Sequence, residues 1–380
     1  MFLQRLGLRN FRNFENETVE FPERGAALIG NNGQGKTNLL EAVYYLEIFR
    51  SFRGARDEQL VRFGSDHFRV EGRLEGSGSS DEAEVAAGYA REGRRKKVTL
   101  GGREPERVGE IIGQVGAIVF TASDVEIVAG GPGARRRFLD ITLSLVEPGY
   151  LQELQRYRQI LSQRNGLLRD GASAPELAAW NAGLVDSGSQ ITEARARWIA
   201  GRKTGFSRYY SAISGGQEGG LDYAPSVPAP ARGLEAEVSS LEEWAEAFRI
   251  QLERLAERER RRGLTLVGPH RDDVSFWVAG GIEPVWLRNF GSAGQQRTAA
   301  VALRMAEAES LRAKRGRQPI VMLDDVFAEL DPRRAERVVE LLTAEDWGQV
   351  LVTSPKPSEF AFMGGSLAEY RIVNGEVSQV

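Results

Sequence analysis

Gly30-Asn31-Asn32-Gly33-Gln34-Gly35-Lys36-Thr37 is the stretch that decides the fold of this chain. It matches the P-loop pattern, in which glycines let backbone N–H groups turn toward phosphates. Residues 26–29 before it form an apolar, strand-like run, and residues 38–49 after it have the spacing of a buried helix. A P-loop requires this strand-to-helix context, whereas a glycine-rich turn that carries Lys-Thr by chance does not.

The loop residues have distinct predicted roles. Lys36 is predicted to reach the β- and γ-phosphates of a nucleotide, and Thr37 to offer its hydroxyl to Mg²⁺. The N-terminus of the following helix adds partial positive charge. The predicted nucleotide-binding residues here are Gly30, Asn31, Asn32, Gly33, Gln34, Gly35, Lys36, Thr37 and Asn38.

A second motif is the apolar run at residues 319–323, which ends in Asp324 and Asp325. A buried parallel strand delivers such carboxylates to its C-terminal edge. We predict that Asp324 holds Mg²⁺, directly or through water, and that Asp325 positions or deprotonates the attacking water. An ordinary strand end is the alternative, which the upstream P-loop disfavours. The predicted catalytic residues are therefore Asp325, Lys36 and Asp324, and the predicted metal ligands are Thr37 and Asp324.

A third motif, at residues 292–298, precedes an Ala- and Leu-rich helix. Ser292 is a good N-cap, and Gly294, followed by Gln295, leaves backbone amides open at a helix start, so the segment can bind an anion. An ordinary capped helix is the alternative. The order along the chain favours anion binding, because the motif lies between the P-loop and the acidic pair, and Ala328-Glu329-Leu330-Asp331 follows.

That order resembles the layout of the ABC ATPases, with Walker A, signature, Walker B and D-loop. The resemblance implies that Ser292, Gly294 and Gln295 of one subunit cap the γ-phosphate of ATP on the P-loop of another, in a homodimer with two shared ATPs. The family's switch histidine is missing, since Thr353 or Ser354 takes its place. No convincing Q-loop glutamine is present either. Both departures imply slow hydrolysis.

The distance between motifs selects a branch of these ATPases. Thr37 and Ser292 are 255 residues apart, which is too few for the long coiled coils of SMC proteins. The chain resembles the RecF family of bacterial recombination mediators over nearly its whole length. Beyond the P-loop and the acidic pair, the resemblance is carried by residues 8–14, 50–53, 131–140, 267–273 and 292–298.

This resemblance implies an α/β, SMC-like head and a weak, DNA-stimulated ATPase that dimerises with ATP. It also implies binding to double-stranded DNA and single-strand/double-strand junctions, and cooperation with RecR and RecO to load RecA at gaps during the response to DNA damage. Arg12 and Asn13 fall where related heads contact the nucleotide, although a surface turn also explains them.

The predicted domains are an ABC-type head, residues 1–130 and 255–380, and a mainly helical insert, residues 131–254. The insert is the most basic large segment, with a net charge of +5 over residues 131–210. Arg135, Arg136 and Arg137 begin one of its helices, where positive charge opposes the helix dipole unless anions or acids pair with it. We predict them as DNA contacts, with a solvated or ion-paired face as the alternative.

Composition excludes several classes of site. The chain has no Cys and two His, so thiol nucleophiles, thiolate metal sites and three-histidine sites are impossible. The net charge of −3 confines any nucleic-acid surface to a local patch. No secretion signal is evident at the start, which predicts a cytoplasmic protein. The resemblance to the RecF family implies association with the nucleoid. A defence-type ATPase, a transporter ATPase subunit and a small-molecule kinase remain as alternatives.

Overall fold

A computed structural model describes residues 2–76, 83–229, 240–327, 330–344, 347–354 and 367–380. The chain forms two compact units, Met1–Asp124 with Glu307–Val380, and Val125–Ala306. The predicted domains, 1–130 with 255–380 and 131–254, differ from these units mainly at the second boundary. The reason is strand pairing, because Gly219–Ala224 of the predicted insert pairs with Asp273–Ala279 of the predicted head.

The strands are β1 (Phe2–Phe11), β2 (Phe14–Glu20), β3 (Gly25–Ile29), β4 (His67–Glu75), β5 (Ala83–Ala90), β6 (Arg95–Leu100), β7 (Ala117–Thr121), β8 (Gly219–Ala224), β9 (Asp273–Ala279), β10 (Pro284–Trp286), β11 (Ile320–Asp324), β12 (Val350–Ser354), β13 (Ala368–Val373) and β14 (Glu376–Gln379). The α-helices are α1 (Lys36–Ile48), α2 (Asp57–Leu60), α3 (Val125–Ala129), α4 (Pro132–Val146), α5 (Tyr150–Arg169), α6 (Ala174–Ser214), α7 (Leu241–Arg262), α8 (Leu287–Phe290), α9 (Ala293–Arg315) and α10 (Pro332–Ala344).

Two sheets build the first unit. One has the strand order β14-β13-β3-β12-β11-β7, in which β13, β3, β12, β11 and β7 are parallel and β14 is an antiparallel edge strand. The other is antiparallel, with the order β2-β1-β4-β5-β6. Helix α1 touches strands of both sheets and is buried along almost its entire length. A helix that is buried on all faces needs apolar residues on most of them, as α1 has, and its buried charged residues are Lys36, Glu41 and Glu47.

The second unit consists of helices packed with a three-stranded antiparallel sheet, β10-β9-β8. The charged, amphipathic pattern of residues 241–262 predicts a helix, and α7 has these bounds. The sequence also predicts a break at residues 166–175, which the structure narrows to residues 170–173 between α5 and α6. The Gly and Pro clusters of residues 214–233 predict a loop, but residues 219–224 form β8. Its glycines are there for space, because a Cβ on Gly219 or Gly220 would lie 2.6 Å or 2.3 Å from Tyr210 or Trp277. The apolar run at residues 264–267 predicts a short strand, but these residues form irregular structure.

Buried ion pairs tie the helices of this unit to the turn Pro269–Arg271. Arg195, 2% exposed, donates to Asp140 Oδ1 at 2.8 Å, Asp272 Oδ2 at 3.1 Å and the Pro269 carbonyl at 2.7 Å. Because an unpaired buried charge is costly, the satisfied donors of Arg195 make this network a strong constraint on packing. In the described part of the chain, no helix is both long and apolar enough to cross a membrane.

His270 belongs to the same turn and should make folding sensitive to acid. Burial, followed by repulsion from Arg271, lowers its pKa from 6.5 to about 4, although a bond to Thr265 opposes the shift. The unfolded chain therefore binds the proton more tightly, and stability rises with pH between about 4 and 6.5. We expect His270 to cost about 2 kcal/mol of unfolding free energy at pH 5 relative to pH 8.

Urea unfolding of the wild type and of His270→Gln at pH 5 and pH 8 measures this effect. Glutamine does not titrate, so the variant should lose about 2 kcal/mol of the pH dependence. His67→Gln, at an exposed position of β4, is the matched control. Equal pH dependence in wild type and His270→Gln would contradict the prediction.

Candidate nucleotide-binding site

The predicted P-loop lies between the end of β3 and the start of α1. Gly35 has a φ of +120°, and a Cβ there would lie 2.7 Å from Asn13 Nδ2, so only glycine fits. Lys36 is 4% exposed and donates from Nζ to the carbonyls of Gly30 at 2.6 Å and Asn31 at 3.3 Å. The Lys36 side chain thus packs against the P-loop and donates to the loop's own carbonyls.

Side-chain and backbone groups from other parts of the first unit form hydrogen bonds that brace this loop. Asn13 Nδ2 donates to the Gln34 carbonyl at 2.9 Å, and Asn38 Nδ2 donates to Asn13 Oδ1 at 2.8 Å. From the turn between β13 and β14, the Asn374 N–H donates to Gln34 Oε1 at 2.6 Å, and the Gly375 N–H donates to the Gln34 carbonyl at 3.2 Å. Asn13 and Asn38, which are predicted to bind nucleotide, therefore lie beside the P-loop and help to position it.

Arg12 also lies near the loop, but its charge is already paired. Its Nε and Nη2 donate to the two carboxylate oxygens of Glu41 at 2.7 Å and 2.8 Å, and Glu41 is fully buried. Ser51 Oγ bonds to the same carboxylate, and Arg53 Nη1 lies 3.9 Å from it. Arg53 Nη1 also donates to Asn38 Oδ1 at 3.2 Å. Arg12 thus anchors the turn after β1, and its guanidinium faces a buried acid.

The acidic pair lies at the C-terminal edge of the parallel sheet. Strands β3, β12 and β11 are neighbours in register, with Ile29 beside Ser354 and Thr353 beside Asp324. This alignment places the acids next to the P-loop, because all three strands end at one edge. Asp324 Oδ1 accepts from Thr37 Oγ1 at 2.9 Å and lies 3.0 Å from Thr353 Oγ1.

Burial sets the electrostatics of these acids. It raises the pKa of Asp324, while the hydrogen bonds from Thr37 and Thr353 work in the opposite direction. Asp325 has a φ of +50°, a left-handed conformation, and its N–H donates to Thr353 Oγ1 at 3.0 Å. Thr353, one of the two residues predicted to replace the switch histidine, therefore hydrogen-bonds to both acidic residues.

The oxygen atoms of Thr37 and Asp324 have the spacing of adjacent metal ligands. Two neighbouring ligands at octahedral Mg²⁺ are about 2.9 Å apart, given metal–oxygen distances of about 2.0–2.1 Å. Within the described ranges, no cluster of three or more His, Asp or Glu side chains forms a dedicated metal cage. A hydroxyl and one carboxylate therefore suit Mg²⁺ in its usual mode, in which waters and substrate phosphates complete the shell.

The predicted signature residues form their own cluster in the second unit. The Ser292 N–H donates to Gln295 Oε1 at 2.9 Å, and the Gln295 N–H donates to Ser292 Oγ at 3.2 Å. This is a reciprocal cap at the start of α9. Ser292 is exposed and Gly294 half-buried. Of the predicted D-loop, residues 328 and 329 lie outside the described residues.

Arg135 differs from its prediction as a DNA contact, because it is 2% exposed. Its Nε and Nη2 donate to Asp273 at 2.5 Å and 3.1 Å, and its Nη1 donates to the Gly130 carbonyl at 2.8 Å. These bonds give Arg135 a structural role. Arg136 is half-buried and donates to the Asp272 carbonyl at 2.8 Å, whereas Arg137 is exposed.

Comparisons with known proteins agree with this architecture. Residues 2–378 match the family described as the RecF/RecN/SMC N terminal domain. The DNA replication and repair protein RecF of Synechococcus sp. (strain JA-3-3Ab) is 38% identical over 366 residues, which cover 95% of this chain and 93% of that protein. The chain belongs to the RecF family. The family resemblance and the α/β, SMC-like fold predicted from the sequence are both confirmed.

Solved structures extend the RecF comparison to three dimensions. One described as the recombination mediator protein RecF-ATP in the RecFOR pathway has a TM-score of 0.86 and 29% identity, over 100% of this chain and 97% of that one. The Smc head domain of Pyrococcus furiosus, bound to the C-terminal domain of ScpA, has a TM-score of 0.58 at 16% identity, over 100% and 96%. The Smc likeness concerns the fold alone.

Sequence reasoning missed two contributors to the site, Glu41 and the pair Asn374 and Gly375. Glu41 occurs within an apolar helix, which is a signal for a buried partner, because lone buried carboxylates are rare. Asn374-Gly375 reads as a hairpin turn, and its sequence carries no indication that it contacts residue 34.

Proposed function

We propose that this chain is an ATP-dependent DNA-binding protein of recombinational repair, which closes as a homodimer around two ATP molecules and hydrolyses them slowly. One observation carries the proposal: in a RecF-family chain, Asp324 accepts from Thr37 of the braced P-loop and lies within hydrogen-bond distance of Thr353. The relatives support the biological role, since they are named for DNA replication and repair and one solved RecF is described with ATP.

The first-unit residues would bind ATP as follows. Lys36 would exchange its bonds to the Gly30 and Asn31 carbonyls for bonds to the β- and γ-phosphates, which are stronger because the acceptor is charged. Thr37 and Asp324 would hold Mg²⁺, which neutralises the phosphate charge when bound. Asn13 and Asn38 would keep the loop in its binding conformation, which lowers the ordering cost of binding.

Asp325 is proposed as the group that positions and deprotonates the attacking water. In hydrolysis the water oxygen bonds to the γ-phosphorus, the bond from phosphorus to the β–γ bridging oxygen breaks, and the water proton passes to the carboxylate. The hydrogen bond from the Asp325 backbone N–H to Thr353 fixes the backbone from which this carboxylate extends. Thr353 cannot supply the cationic donor that an imidazolium would, which supports a slow reaction.

Dimer closure is proposed to use Ser292, Gly294 and Gln295 on the γ-phosphate of the partner's ATP. Ser292→Arg should leave ATP-analogue binding within about twofold and abolish ATP-dependent dimerisation, because a bulky cation replaces an exposed hydroxyl at the proposed contact. Light scattering with a nonhydrolysable ATP analogue, with ADP and without nucleotide measures the mass.

The matched control is Ser173→Arg, at an exposed serine that caps the start of α6 in the same unit but lies outside the proposed contact. A second control, Gly133→Arg, adds the same charge at an exposed helix position. Dimerisation of Ser292→Arg at the wild-type ATP-analogue concentration would refute the shared-site arrangement while leaving the P-loop assignment intact.

The finer assignments are part of the same proposal. They comprise binding to double-stranded DNA and single-strand/double-strand junctions, weak DNA-stimulated ATPase activity, action with RecR and RecO in loading RecA, and location in the cytoplasm at the nucleoid. Of the three predicted DNA contacts, Arg136 and Arg137 remain proposed, because they are half-buried and exposed, whereas Arg135 is withdrawn.

A further inference from the structure

A basic cavity of about 290 Å³ lies within the second unit. Helix α4 contributes Arg136, Arg137 and Asp140 to its wall, and helix α5 contributes Tyr157 and Arg158. Residues three and four positions apart share a face of a helix, so these two helices present their side chains to one space. The turn Pro269–Arg271 closes another side through His270.

His270 is an uncharged part of this wall. Tyr157 Oη lies 2.6 Å from its Nδ1, and its Nε2 lies 3.1 Å from the Thr265 carbonyl, which can only accept. Nε2 therefore carries the proton, and Nδ1 accepts from the tyrosine. Both ring nitrogens are occupied, so the cavity's charge comes from its arginines and aspartates.

Positive charge exceeds negative charge around the cavity. Arg135 pairs with Asp273, and Arg195 pairs with Asp140 and Asp272. Arg158 Nη2 shares Asp140 at 2.8 Å. The cluster thus holds five guanidiniums, of Arg135, Arg136, Arg137, Arg158 and Arg195, and three carboxylates, a net charge of +2.

The excess charge belongs to groups that can still take a ligand. Arg136 donates from one nitrogen to a neutral carbonyl. Burial, followed by repulsion from Arg195, lowers the pKa of its guanidinium, and a bound anion would stabilise the charged form. Arg137 has no ion-pair or hydrogen-bond partner among the described residues. Arg158 is 58% exposed and shares its only ion-pair acid among those residues with Arg195.

We propose that this cavity binds a phosphate group through Arg136, Arg137 and Arg158. A phosphate monoester carries a charge of about −1.5 to −2 at neutral pH and a backbone phosphodiester carries one negative charge, so the excess positive charge can neutralise either of them. Guanidiniums bind phosphate oxygens in a bidentate manner. The group can belong to a nucleic-acid backbone or to a free phosphorylated compound. The inference rests on the cavity and not on the ATP site, and its nucleic-acid form deepens the DNA contact proposed above for Arg136 and Arg137.

Calorimetric titration with inorganic phosphate at low salt tests the site. The titration uses Lys36→Ala as its background, because the P-loop also binds phosphate. In that background, adding Arg137→Gln and Arg158→Gln should weaken phosphate binding at least tenfold, whereas adding Arg254→Gln, an exposed α7 position outside the cavity, should not. Melting temperatures within a few degrees of the background show that the variants fold. Arg158→Gln alone, at an exposed position, serves if the triple variant unfolds.

A short DNA duplex distinguishes the two sources of phosphate. If the ligand is a DNA backbone, Arg137→Gln with Arg158→Gln should weaken duplex binding and reduce the slope of log affinity against log salt concentration by about one, because the cavity holds one phosphate. If the ligand is a free phosphorylated compound, phosphate binding should fall while duplex affinity and slope stay unchanged. Equal phosphate binding with and without the two arginines, or none in the Lys36→Ala background, would overturn the proposal.

Discussion

Replacing Asp325 with Asn should slow ATP hydrolysis by about 100-fold or more while preserving ATP binding and ATP-dependent dimerisation. Asparagine has nearly the same size and tolerates the left-handed φ of +50° at this position. The backbone N–H bond to Thr353 can also persist. The substitution therefore removes the negative charge that would accept the proton of water and little else. Phosphate release at saturating ATP measures the rate, and light scattering measures the dimer.

The control for this variant is Asp66→Asn, which removes the same charge at an exposed position. Its hydrolysis rate should match the wild type. If Asp325→Asn hydrolyses ATP at the wild-type rate, the base lies elsewhere, and the role of Asp325 reduces to shaping the end of β11. If it fails to bind the ATP analogue, Asp325 contributes to binding, and the assignment as a base is also wrong.

Lys36→Ala should weaken binding of an ATP analogue by at least about 30-fold. Removing one partner of a buried, hydrogen-bonded charge pair costs roughly 2–5 kcal/mol, and every 1.4 kcal/mol is tenfold in affinity. Lys36 is 4% exposed and its ammonium lies at the loop carbonyls, where it is shielded from water. Fluorescence titration with a labelled ATP analogue gives the affinity.

Lys203→Ala is the matched control, since it removes a lysine that pairs with Asp222 on an exposed helix surface. It should bind the analogue like the wild type. Equal affinity in Lys36→Ala and wild type would show that the loop binds no nucleotide phosphate. The melting temperature of Lys36→Ala must stay near that of the wild type, because the variant also loses two bonds to loop carbonyls.

Local patterns predicted most of the site. The P-loop and the acidic pair each depend on one strand and the few residues after it, and both strands appear where the sequence places them. Their proximity followed from the general rule that parallel strands end at one edge. The pairing of Asp324 with Thr37, and its closeness to Thr353, depends on register between strands hundreds of residues apart, which no local pattern encodes.

Long-range pairing also explains the errors. Arg135 looks like its two neighbours in the sequence, and only the position of Asp273, 138 residues away, makes it a buried ion-pair partner. Strand β8 was hidden because glycines favour loops, whereas here they make room for two aromatic rings. The second domain boundary shifted for the same reason, because the partner of β8 lies beyond the predicted insert.

The braced P-loop has a consequence for how the protein is synthesised. The loop receives hydrogen bonds from residue 13 on one side and from residues 374 and 375 on the other, and the preceding strand β3 pairs with β12 and β13. On a ribosome adding about 5–20 residues per second, roughly 20–70 s separate the emergence of the loop from that of its last brace. Over that interval the nascent chain carries the P-loop sequence without the hydrogen bonds that brace it. The loop can therefore reach its braced conformation only after residue 375 has been synthesised.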